Sequence, residues 1–459
     1  MSIEALKTER KIKNRKMMFS NRDLAKLLLP LMLEQLLTTL MGTVDTMMVS
    51  TVGSAAISAV SLVDSINILL IQLFGALAGG GAIICAQYVG KKDIEKARHA
   101  ANQLVFIVTV LSAGITLFAV FFNRPLLRLI FGQVEETVMD ASVIYFFITA
   151  LSYPAIALYN AGASIYRSHN NSRLPMIISV ISNVMNVTGN AYLIYVMKWG
   201  VAGVALATLG SRVFCAAVIL FMLKRPKEEI GIGKIYKIKP DKEELKRILH
   251  VGIPTGVENG MFQFGKLAIQ STVSTLGTVA IAAQAMTNIL ESLNGVAALA
   301  VGFGMMTVIG QCMGAGEEKQ AVYYIKKLCI IAEAALIAGC VIVCLFVEPI
   351  TVLAGMEPES ARLCIYMVRA ITIVKPIFWA QSFVLPYGFR AAGDVKFPMT
   401  VSCISMWCCR VALCIFLCRV VGLGTMSVWY AMFTDWAVRF IIFVIRFKSG
   451  KWMKKSLVY

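Results

Sequence analysis

The sequence predicts an all-α integral membrane protein with twelve transmembrane helices in two six-helix lobes. Of its 459 residues, 58% are hydrophobic and only 15% are charged, and the mean hydropathy is +0.74. A water-soluble domain of this length needs more polar surface than such a composition supplies. The apolar residues also lie in long runs, and the two halves of the chain repeat one pattern. These observations indicate a chain that folds in lipid.

Each predicted helix follows from the length of an apolar run. A helix needs roughly 20 apolar residues to cross the hydrocarbon layer, where it satisfies its own backbone hydrogen bonds. A transmembrane β-barrel would instead show alternating segments of about ten residues. The helical requirement is met at 24–50, 55–88, 104–122, 138–166, 174–197, 201–223, 253–276, 279–309, 328–347, 363–389, 397–418 and 423–447.

The distribution of charge predicts the orientation of the chain. The first apolar run is too long for a signal peptide and carries Glu34 and Asp45. The chain changes sides of the membrane at each predicted span, and most of the 44 Lys and Arg residues fall in the tails and loops on one side. We therefore predict a multi-pass protein of the plasma (inner) membrane with both termini in the cytoplasm. The net charge of +18 then reflects topology and contact with anionic membrane lipids, and we expect no nucleic-acid partner.

The chain is predicted to be an internal duplication. One ungapped shift aligns Glu34 with Glu258, and a shift one residue shorter aligns Arg167 with Arg390. Each repeat has an even number of spans, so we expect one orientation for both halves and a pseudo-twofold axis along the membrane normal. The predicted boundaries are a cytoplasmic tail (1–23), an N-lobe with helices 1–6 (24–223), a cytoplasmic linker (224–250) with a surface helix at 241–249, a C-lobe with helices 7–12 (251–447) and a cytoplasmic tail (448–459).

Polar residues at lipid depth indicate function, because a charge at mid-span costs roughly 2.5–3.5 kcal/mol on insertion scales. Glu34 and Asp45 return to nearly the same face of the first helix and can line one cavity. A carboxylate in such a cavity is suited to exchange a proton. In the fifth span, Asn183, Asn186 and Asn190 form one stripe. Their amides either bond neighbouring helices or join a carboxylate in coordinating sodium.

The second and eighth spans each place one carboxylate and one amide at equivalent positions, and further charges lie in the seventh and tenth. A structural ion pair is the alternative role for each of these residues, and a pair between Glu258 and Lys375 is one arrangement the spacing allows. We predict a substrate cavity lined by Glu34, Asp64, Asn67, Glu258, Asn288, Glu291, Lys375 and Trp379.

Other functional classes lack their motifs. The sequence has no Walker-type loop and no HExxH, so we predict neither direct use of ATP nor an enzyme, and no cofactor. The 12 cysteines lie mostly in apolar runs, and their spacing does not predict a metal cage.

Several motifs, taken in order, resemble the multidrug and toxic compound extrusion (MATE) family. They are MGTVDTMM at 41–48, AQYVG at 86–90 with its counterpart GQCMG at 310–314, GVALAT at 203–208 and RAAGDVKFP at 390–398. The resemblance covers nearly the whole chain. It implies a V-shaped pair of six-helix lobes that exports amphiphilic, often cationic compounds in exchange for protons or sodium ions.

The resemblance also implies roles for individual residues. Asp45 matches the acid whose protonation or ion binding drives the cycle, and Asn186, Asn190 and Thr208 match its neighbours, where a Na⁺ ion would bind. Many prokaryotic members carry an aspartate where Asn190 stands, so this chain has one negative charge fewer. A family branch with C-lobe acids has them near Phe262 and Trp379, where this chain has none.

We therefore expect a monomeric antiporter that exports small amphiphilic substrates, cationic ones above all, in exchange for H⁺ or Na⁺ by alternating access. A flippase for a lipid-linked saccharide is the nearest alternative, and an integral membrane enzyme or a channel is the next. Flippases of this kind line their cavity with cations. Here Lys266 and Lys375 are balanced by acids, which favours cationic or zwitterionic cargo.

Overall fold

The computed structural model describes residues 17–132, 134–225, 230–233, 238–454 and 457–458. All regular elements within these ranges are helical, so the predicted all-α class is confirmed. Most of the predicted N-terminal tail (1–23) lies outside the described residues. Parts of the predicted linker (226–229 and 234–237) and of the C-terminal tail (455–456 and 459) lie outside them as well.

The first half of the described chain consists of consecutive helices, most of them long. They are α1 (Asn21–Ser50), α2 (Ser54–Gly90), α3 (Ile94–Phe121), α4 (Asn123–Phe131), α5 (Glu136–Leu151), α6 (Tyr153–Ser168), α7 (Arg173–Ala191) and α8 (Gly200–Leu223). Helix α7 continues into a π-helical segment, π1 (Tyr192–Val196).

The second half follows the same order. Its helices are α9 (Lys242–Ser274), α10 (Thr278–Gly314), α11 (Glu318–Leu353), α12 (Pro358–Phe383), α13 (Leu385–Ala391), α14 (Lys396–Ser405), α15 (Leu413–Phe416) and α16 (Met426–Lys448). Two π-helical segments, π2 (Met406–Ala412) and π3 (Leu417–Val421), flank α15, and a short 3₁₀ turn (Lys451–Lys454) follows α16.

Length and composition support the predicted membrane spans. Ten helical stretches of the described chain are long and apolar enough to cross a membrane. The pair α5 and α6, bent by 41°, raises the number to eleven if it forms one span. The bend lies at Ser152, two residues before Pro154, where proline removes a helical hydrogen bond. The remaining predicted span lies in α9, which is less apolar because it carries Glu258 and Lys266.

The duplication is visible in the helices themselves. Helices α2 and α10 each contain 37 residues. Each follows a glycine with positive φ, Gly53 at 133° and Gly277 at 95°. Glycine is suited to this position because it lacks the Cβ atom that makes positive φ unfavourable. The two halves therefore use the same turn to begin the same helix.

The described residues pack into two compact units whose boundaries fall inside α1 and α9. The N-terminal unit contains the described part of 33–256, and the C-terminal unit contains the described parts of 1–32 and 257–459. The start of α1 therefore belongs to the C-terminal unit, and the start of α9 to the N-terminal unit. The sequence-based boundaries, which assigned each span to a single lobe, differ from this packing.

Two glycines at equivalent repeat positions, Gly80 and Gly304, lie against the starts of α9 and α1. In the N-terminal unit, a Cβ atom on Gly80 would lie 2.9 Å from both the Gly252 nitrogen and the Ile248 oxygen of α9. In the C-terminal unit, a Cβ atom on Gly304 would collide with the Leu28 side chain of α1. Close helix approach is a common use of glycine in membrane proteins.

The described part of the linker is bonded to the start of α3. The Gln103 side chain donates to the Lys239 carbonyl at 2.7 Å and accepts from the Asp241 N–H at 3.1 Å. Asn102 accepts from the Gly233 N–H at 2.9 Å. The helix predicted at 241–249 is present as the first turns of α9. This end of the linker is therefore an ordered part of the N-terminal unit.

Candidate functional site

The four residues predicted to couple ion binding lie together in the N-terminal unit. The Asn190 Nδ2 atom of α7 donates to Asp45 Oδ1 of α1 at 2.9 Å and to Asn186 Oδ1 at 3.2 Å. Asn186 in turn lies 3.3 Å from the Thr208 hydroxyl of α8. These contacts form one chain of hydrogen bonds, which we call the Asp45 cluster (Asp45, Asn186, Asn190 and Thr208).

The amide of Asn186 is better satisfied when its oxygen and nitrogen are exchanged. In that orientation its nitrogen donates to both carboxylate oxygens of Asp45, at 2.9 and 3.0 Å, and its oxygen accepts from Thr208 at 3.3 Å. Amide orientations are assigned from such networks. Asp45 is then held by two amides, Asn186 and Asn190, and both amides bond to the carboxylate instead of to each other.

Helix geometry explains why these side chains meet. Asn186 and Asn190 are separated by one turn of α7 and therefore lie on one face. Gly189 lies between them in the sequence, and a Cβ atom there would lie 3.1 Å from Ala207 Cβ. The absence of that atom allows α7 and α8 to pack closely. Thr208, the neighbour of Ala207, is thereby brought within reach of Asn186.

The composition of the Asp45 cluster fits a proton or a hard cation. Asn190 is fully buried, and its Oδ1 atom has no hydrogen-bond partner among the described residues. Within the same part of the chain, the hydrogen-bond partners of Asp45 are amides rather than cations. Carboxylate, amide and hydroxyl oxygens are the donor atoms that hard cations prefer.

Asp64 and Asn67 of α2 form a second polar group with two tyrosines that the sequence analysis missed. Asn67 and the Tyr145 hydroxyl donate to Asp64 Oδ1 at 3.0 and 3.2 Å, and the Tyr153 hydroxyl donates to Asn67 Oδ1 at 2.8 Å. Arg212 of α8, also missed, is an electrostatic neighbour of both Asp45 and Asp64. Polar residues inside predicted spans were the signal that could have revealed all three.

Glu34, predicted to line the substrate cavity, is engaged by an arginine. Arg167 of α6 donates to Glu34 Oε1 at 2.7 Å and to Oε2 at 2.8 Å. Tyr159 donates to the same carboxylate at 3.3 Å. In the C-terminal unit, Arg390 donates to Glu258 at 2.7 Å, which is the equivalent pair of the repeat. These ion pairs favour the structural role for both Glu34 and Glu258.

Lys375 pairs with Glu291, so the Glu258–Lys375 pair considered from the sequence is wrong. Lys375 is fully buried, and its Nζ atom lies 2.5 Å from Glu291 Oε1 and 2.5 Å from Asn294 Oδ1. The ammonium also lies 4.8 Å from the centroid of the Trp379 ring. Of the other predicted cavity residues, Asn288 is exposed and accepts from Gln284 at 3.1 Å. The pairing follows helix packing, which spacing along the chain does not reveal.

Arginines of the C-terminal unit were also missed. Arg439 of α16 donates to Asp435 at 2.7 Å and to the Ser402 carbonyl at 3.1 Å, and all three residues are buried. Arg410 of π2 is buried as well. The guanidinium carbons of Arg410 and Arg439 lie 5.1 and 5.3 Å from the centroid of the Phe262 ring. A charge within an apolar run was the available signal in each case.

Comparisons with known proteins agree with this architecture. Among relatives, the chain is 25% identical to the uncharacterized transporter YisQ of Bacillus subtilis, across 93% of this chain and 94% of YisQ. It is also 25% identical to the probable multidrug resistance protein NorM of Thermotoga maritima, across 95% of this chain and 94% of NorM.

Solved structures show the same fold. One, described as an outward-facing multidrug resistance MATE family transporter of the MOP superfamily, superposes with a TM-score of 0.85 at 22% identity. Another, a MOP superfamily transporter from Pyrococcus furiosus described as having a binding pocket of reverse polarity, gives 0.84 at 21% identity. Each comparison covers 94% of this chain and 96% of the other.

A family model places the chain among these transporters. The model, described as MatE, matches residues 30–192 and again residues 254–416. The two matches reproduce the duplication found in the sequence and in the helices. The chain therefore belongs to the MatE family of membrane transporters, as its motifs predicted.

Proposed function

We propose that this protein is a secondary active efflux antiporter for amphiphilic small molecules, driven by H⁺ or Na⁺ binding at the Asp45 cluster. Efflux is supported by relatives such as the probable multidrug resistance protein NorM. Ion coupling is supported by one observation above all. Asp45 is held at 2.9 Å by Asn190, whose Oδ1 atom is buried and unpartnered among the described residues.

The cluster has the properties that a coupling site requires. A carboxylate locked to a cation would keep one charge state, whereas amide partners let Asp45 bind and release a cation. A sodium ion would take the carboxylate together with an amide oxygen, and a protonated carboxyl would find an acceptor in Asn190. An ion shifts the balance between inward-open and outward-open states only by its differential affinity for them. The loss of the Asp45 charge supplies such a difference.

The positive charge predicted for the cargo relied on acids in the cavity. Three of those acids are paired with basic residues: Glu34 with Arg167, Glu258 with Arg390 and Glu291 with Lys375. We therefore propose export of amphiphiles without assigning them a positive charge.

Transport into everted vesicles tests the coupling. Uptake of a fluorescent amphiphile is followed while the proton and sodium gradients are collapsed separately. We expect the wild-type protein to lose uptake when the driving gradient is removed. Asp45→Asn should abolish gradient-driven uptake, because the amide has no titratable group to take up a proton and no negative charge to attract a sodium ion.

A surface aspartate provides the matched control. Asp140 is exposed and lies 3.2 Å from Arg124, so Asp140→Asn makes the same chemical change away from the cluster. It should retain gradient-driven uptake. If Asp45→Asn responded to both gradients as the wild-type protein does, the coupling role of Asp45 would be disproved.

A further inference from the structure

The C-terminal unit contains, among its described residues, cations that form no ion pair beside others that do. Two of its ion pairs are those of Lys375 with Glu291, at 2.5 Å, and of Arg439 with Asp435, at 2.7 Å. Arg410 is an electrostatic neighbour of both acids but pairs with neither. Lys266, nearby, likewise has no carboxylate within 4.0 Å among the described residues.

Arg410 is buried without a full set of hydrogen-bond acceptors among the described residues. It is only 5% exposed, and its Nε atom has no hydrogen-bond partner within the described chain. Its Nη1 atom donates to the sulfur of Met406, a weak acceptor, at 3.7 Å. A buried guanidinium without a carboxylate or a full set of acceptors is strongly unfavourable. An anion beside the side chain would supply both the missing acceptor and the missing negative charge.

Lys266 and Arg410 both lie beside the Phe262 ring. The Lys266 ammonium lies 5.8 Å from the centroid of the Phe262 ring, and the Arg410 guanidinium carbon lies 5.1 Å from it. Lys266 is exposed while Arg410 is buried, so the two cations extend from the surface of the unit inward. A ligand in contact with both cations would lie beside an aromatic ring.

Local structure fixes the position of Arg410. It lies in π2, and π-helical turns inside helices occur frequently at functional sites. Gly265, next to Lys266, faces Met406 so closely that a Cβ atom there would collide with its side chain. Met406 precedes Arg410 by one turn. The absence of a Cβ atom on Gly265 therefore brings α9 and its lysine against the segment that carries the arginine.

The chemistry of these groups selects a ligand class. A guanidinium presents a planar fork of donors that matches carboxylate and phosphate, and an ammonium adds a point charge. The Phe262 ring supplies an apolar surface next to both cations. The sequence-based expectation of cationic cargo weighed Lys266 and Lys375 against the acids, but it omitted Arg410 and Arg439.

We propose that Lys266 and Arg410, beside the Phe262 ring, bind an anionic group, a carboxylate or a phosphate, on the amphiphile that the protein exports. The assignment rests on the proposed efflux function and names the charge of its cargo. It also places the two ligands on different units, the coupling cation on the N-terminal unit and the anionic group on the C-terminal unit.

Equilibrium binding to the purified full-length protein tests this site without an ion gradient. Fluorescence anisotropy compares flavin mononucleotide with riboflavin, which lacks the phosphate, and rhodamine 110 with rhodamine 123, its methyl ester. We expect at least one of the members that carry the anionic group to bind roughly tenfold more tightly than its partner, in keeping with a charged hydrogen bond. The pair that shows the preference identifies the anion as phosphate or carboxylate.

Substitutions that remove a positive charge then test which residues cause the preference for the anionic group. Lys266→Gln and Arg410→Gln should each lower the affinity for the anionic member roughly tenfold and leave that for its partner unchanged. Arg419 lies on π3 and is exposed, so Arg419→Gln is the matched control and should keep the preference. Because Arg410 is buried, the exposed Lys266 provides a test that does not disturb packing.

The outcomes separate this site from the coupling proposal. Asp45→Asn should abolish gradient-driven uptake yet keep the anion preference in the binding assay. Equal affinities within both ligand pairs, or an unchanged preference in Lys266→Gln and in folded Arg410→Gln, would overturn the anion site while leaving the role of Asp45 intact.

Discussion

Arg167 donates two hydrogen bonds to Glu34, at 2.7 Å to Oε1 and 2.8 Å to Oε2. The equivalent residues of the second repeat, Arg390 and Glu258, form the same ion pair at 2.7 Å. Each glutamate lies two residues or fewer beyond the point where its helix passes from one packing unit to the other. The two pairs therefore anchor α1 and α9 to the units that contain Arg167 and Arg390.

Breaking either pair should destabilise the protein. Arg167→Leu leaves the buried Glu34 carboxylate uncompensated, which typically costs about 3–5 kcal/mol. The double variant Glu34→Leu/Arg167→Leu removes both charges and should recover most of this loss. The apparent unfolding midpoint of the purified protein in detergent measures the effect. A single variant as stable as the double one would show that the pair contributes no more than its packing.

The glycines at the helix crossings should differ in their tolerance of alanine. A Cβ atom on Gly80 meets the backbone of α9, which cannot move aside without shifting the helix. On Gly304 it meets the end of the Leu28 side chain, which can adopt another rotamer. We expect Gly80→Ala to lower the unfolding midpoint more than Gly304→Ala does.

Gly75 is the control for this comparison. It lies in the same helix as Gly80, and a Cβ atom there meets nothing within 4 Å. Gly75→Ala should be neutral or stabilising, by up to about 1 kcal/mol, because alanine loses less backbone entropy in a helix. Equal losses for Gly80→Ala and Gly304→Ala would contradict the backbone contact at Gly80.

Lys375 should be indispensable only while Glu291 keeps its charge. Lys375→Met leaves that half-buried carboxylate without its partner at 2.5 Å, and we expect a loss of up to about 3–5 kcal/mol. Glu291→Gln in the same chain removes the orphaned charge and should restore much of the stability. Thermal unfolding of the four proteins forms a double-mutant cycle. Additive losses would show that the two side chains are not coupled.

Whether the sequence predicted a contact depends on how far apart the two residues lie along the chain. Asn186 and Asn190 are one turn apart, so periodicity alone placed them on one face, and the motif around Asp45 suggested the acid that they meet. Glu34 and Arg167 were both recognised as repeat positions, yet nothing along the chain joins residues so far apart. Their pairing is a product of helix packing.

The cations of the C-terminal unit were harder to interpret from the sequence. Lys266 and Lys375 stood out, but their partners depend on neighbouring helices that spacing does not identify. Arg410 lies in a run rich in cysteine and apolar residues, and its importance becomes clear only when its surroundings are known. The crossings of α1 and α9 were missed for the same reason, since a hydrophobic run gives its length but not the unit that it packs against.

The linker contact offers a test of pH dependence outside the membrane spans. Asp241 accepts from the N–H of Glu243 at 3.0 Å at the start of α9, and its Oδ2 atom lies 2.9 Å from His99 Nε2. The hydrogen bond with His99 lowers the pKa of Asp241. A carboxyl group with a depressed pKa stabilises the fold above its unfolded pKa, and this contribution is lost as the pH falls through the folded value.

Limited proteolysis of the linker measures this contribution. Because Asp241 stays ionised, its protective effect should persist between pH 7 and pH 5. Asp241→Ala loses both the helix cap and the charge and should be cleaved faster, whereas Asp241→Asn keeps a capping side chain and should be intermediate. Cleavage at the wild-type rate in Asp241→Ala would show that the contact does not hold the linker.

The Asp45 cluster makes a prediction about where a sodium ion can bind. Asn190→Asp places a second carboxylate where an amide now contacts Asp45 at 2.9 Å. Two carboxylates so close cannot both remain charged without a cation or a shared proton between them. The substitution should therefore raise the affinity for Na⁺ if a sodium ion can enter the cluster. The increase is measured as a greater stabilisation of the protein by sodium against thermal unfolding.

Asn183→Asp, one turn from Asn186 on the same helix, is the control for added charge. Sodium stabilisation equal in both variants would place the effect outside the Asp45 cluster, and a rise restricted to Asn190→Asp would place the cation between residues 45 and 190.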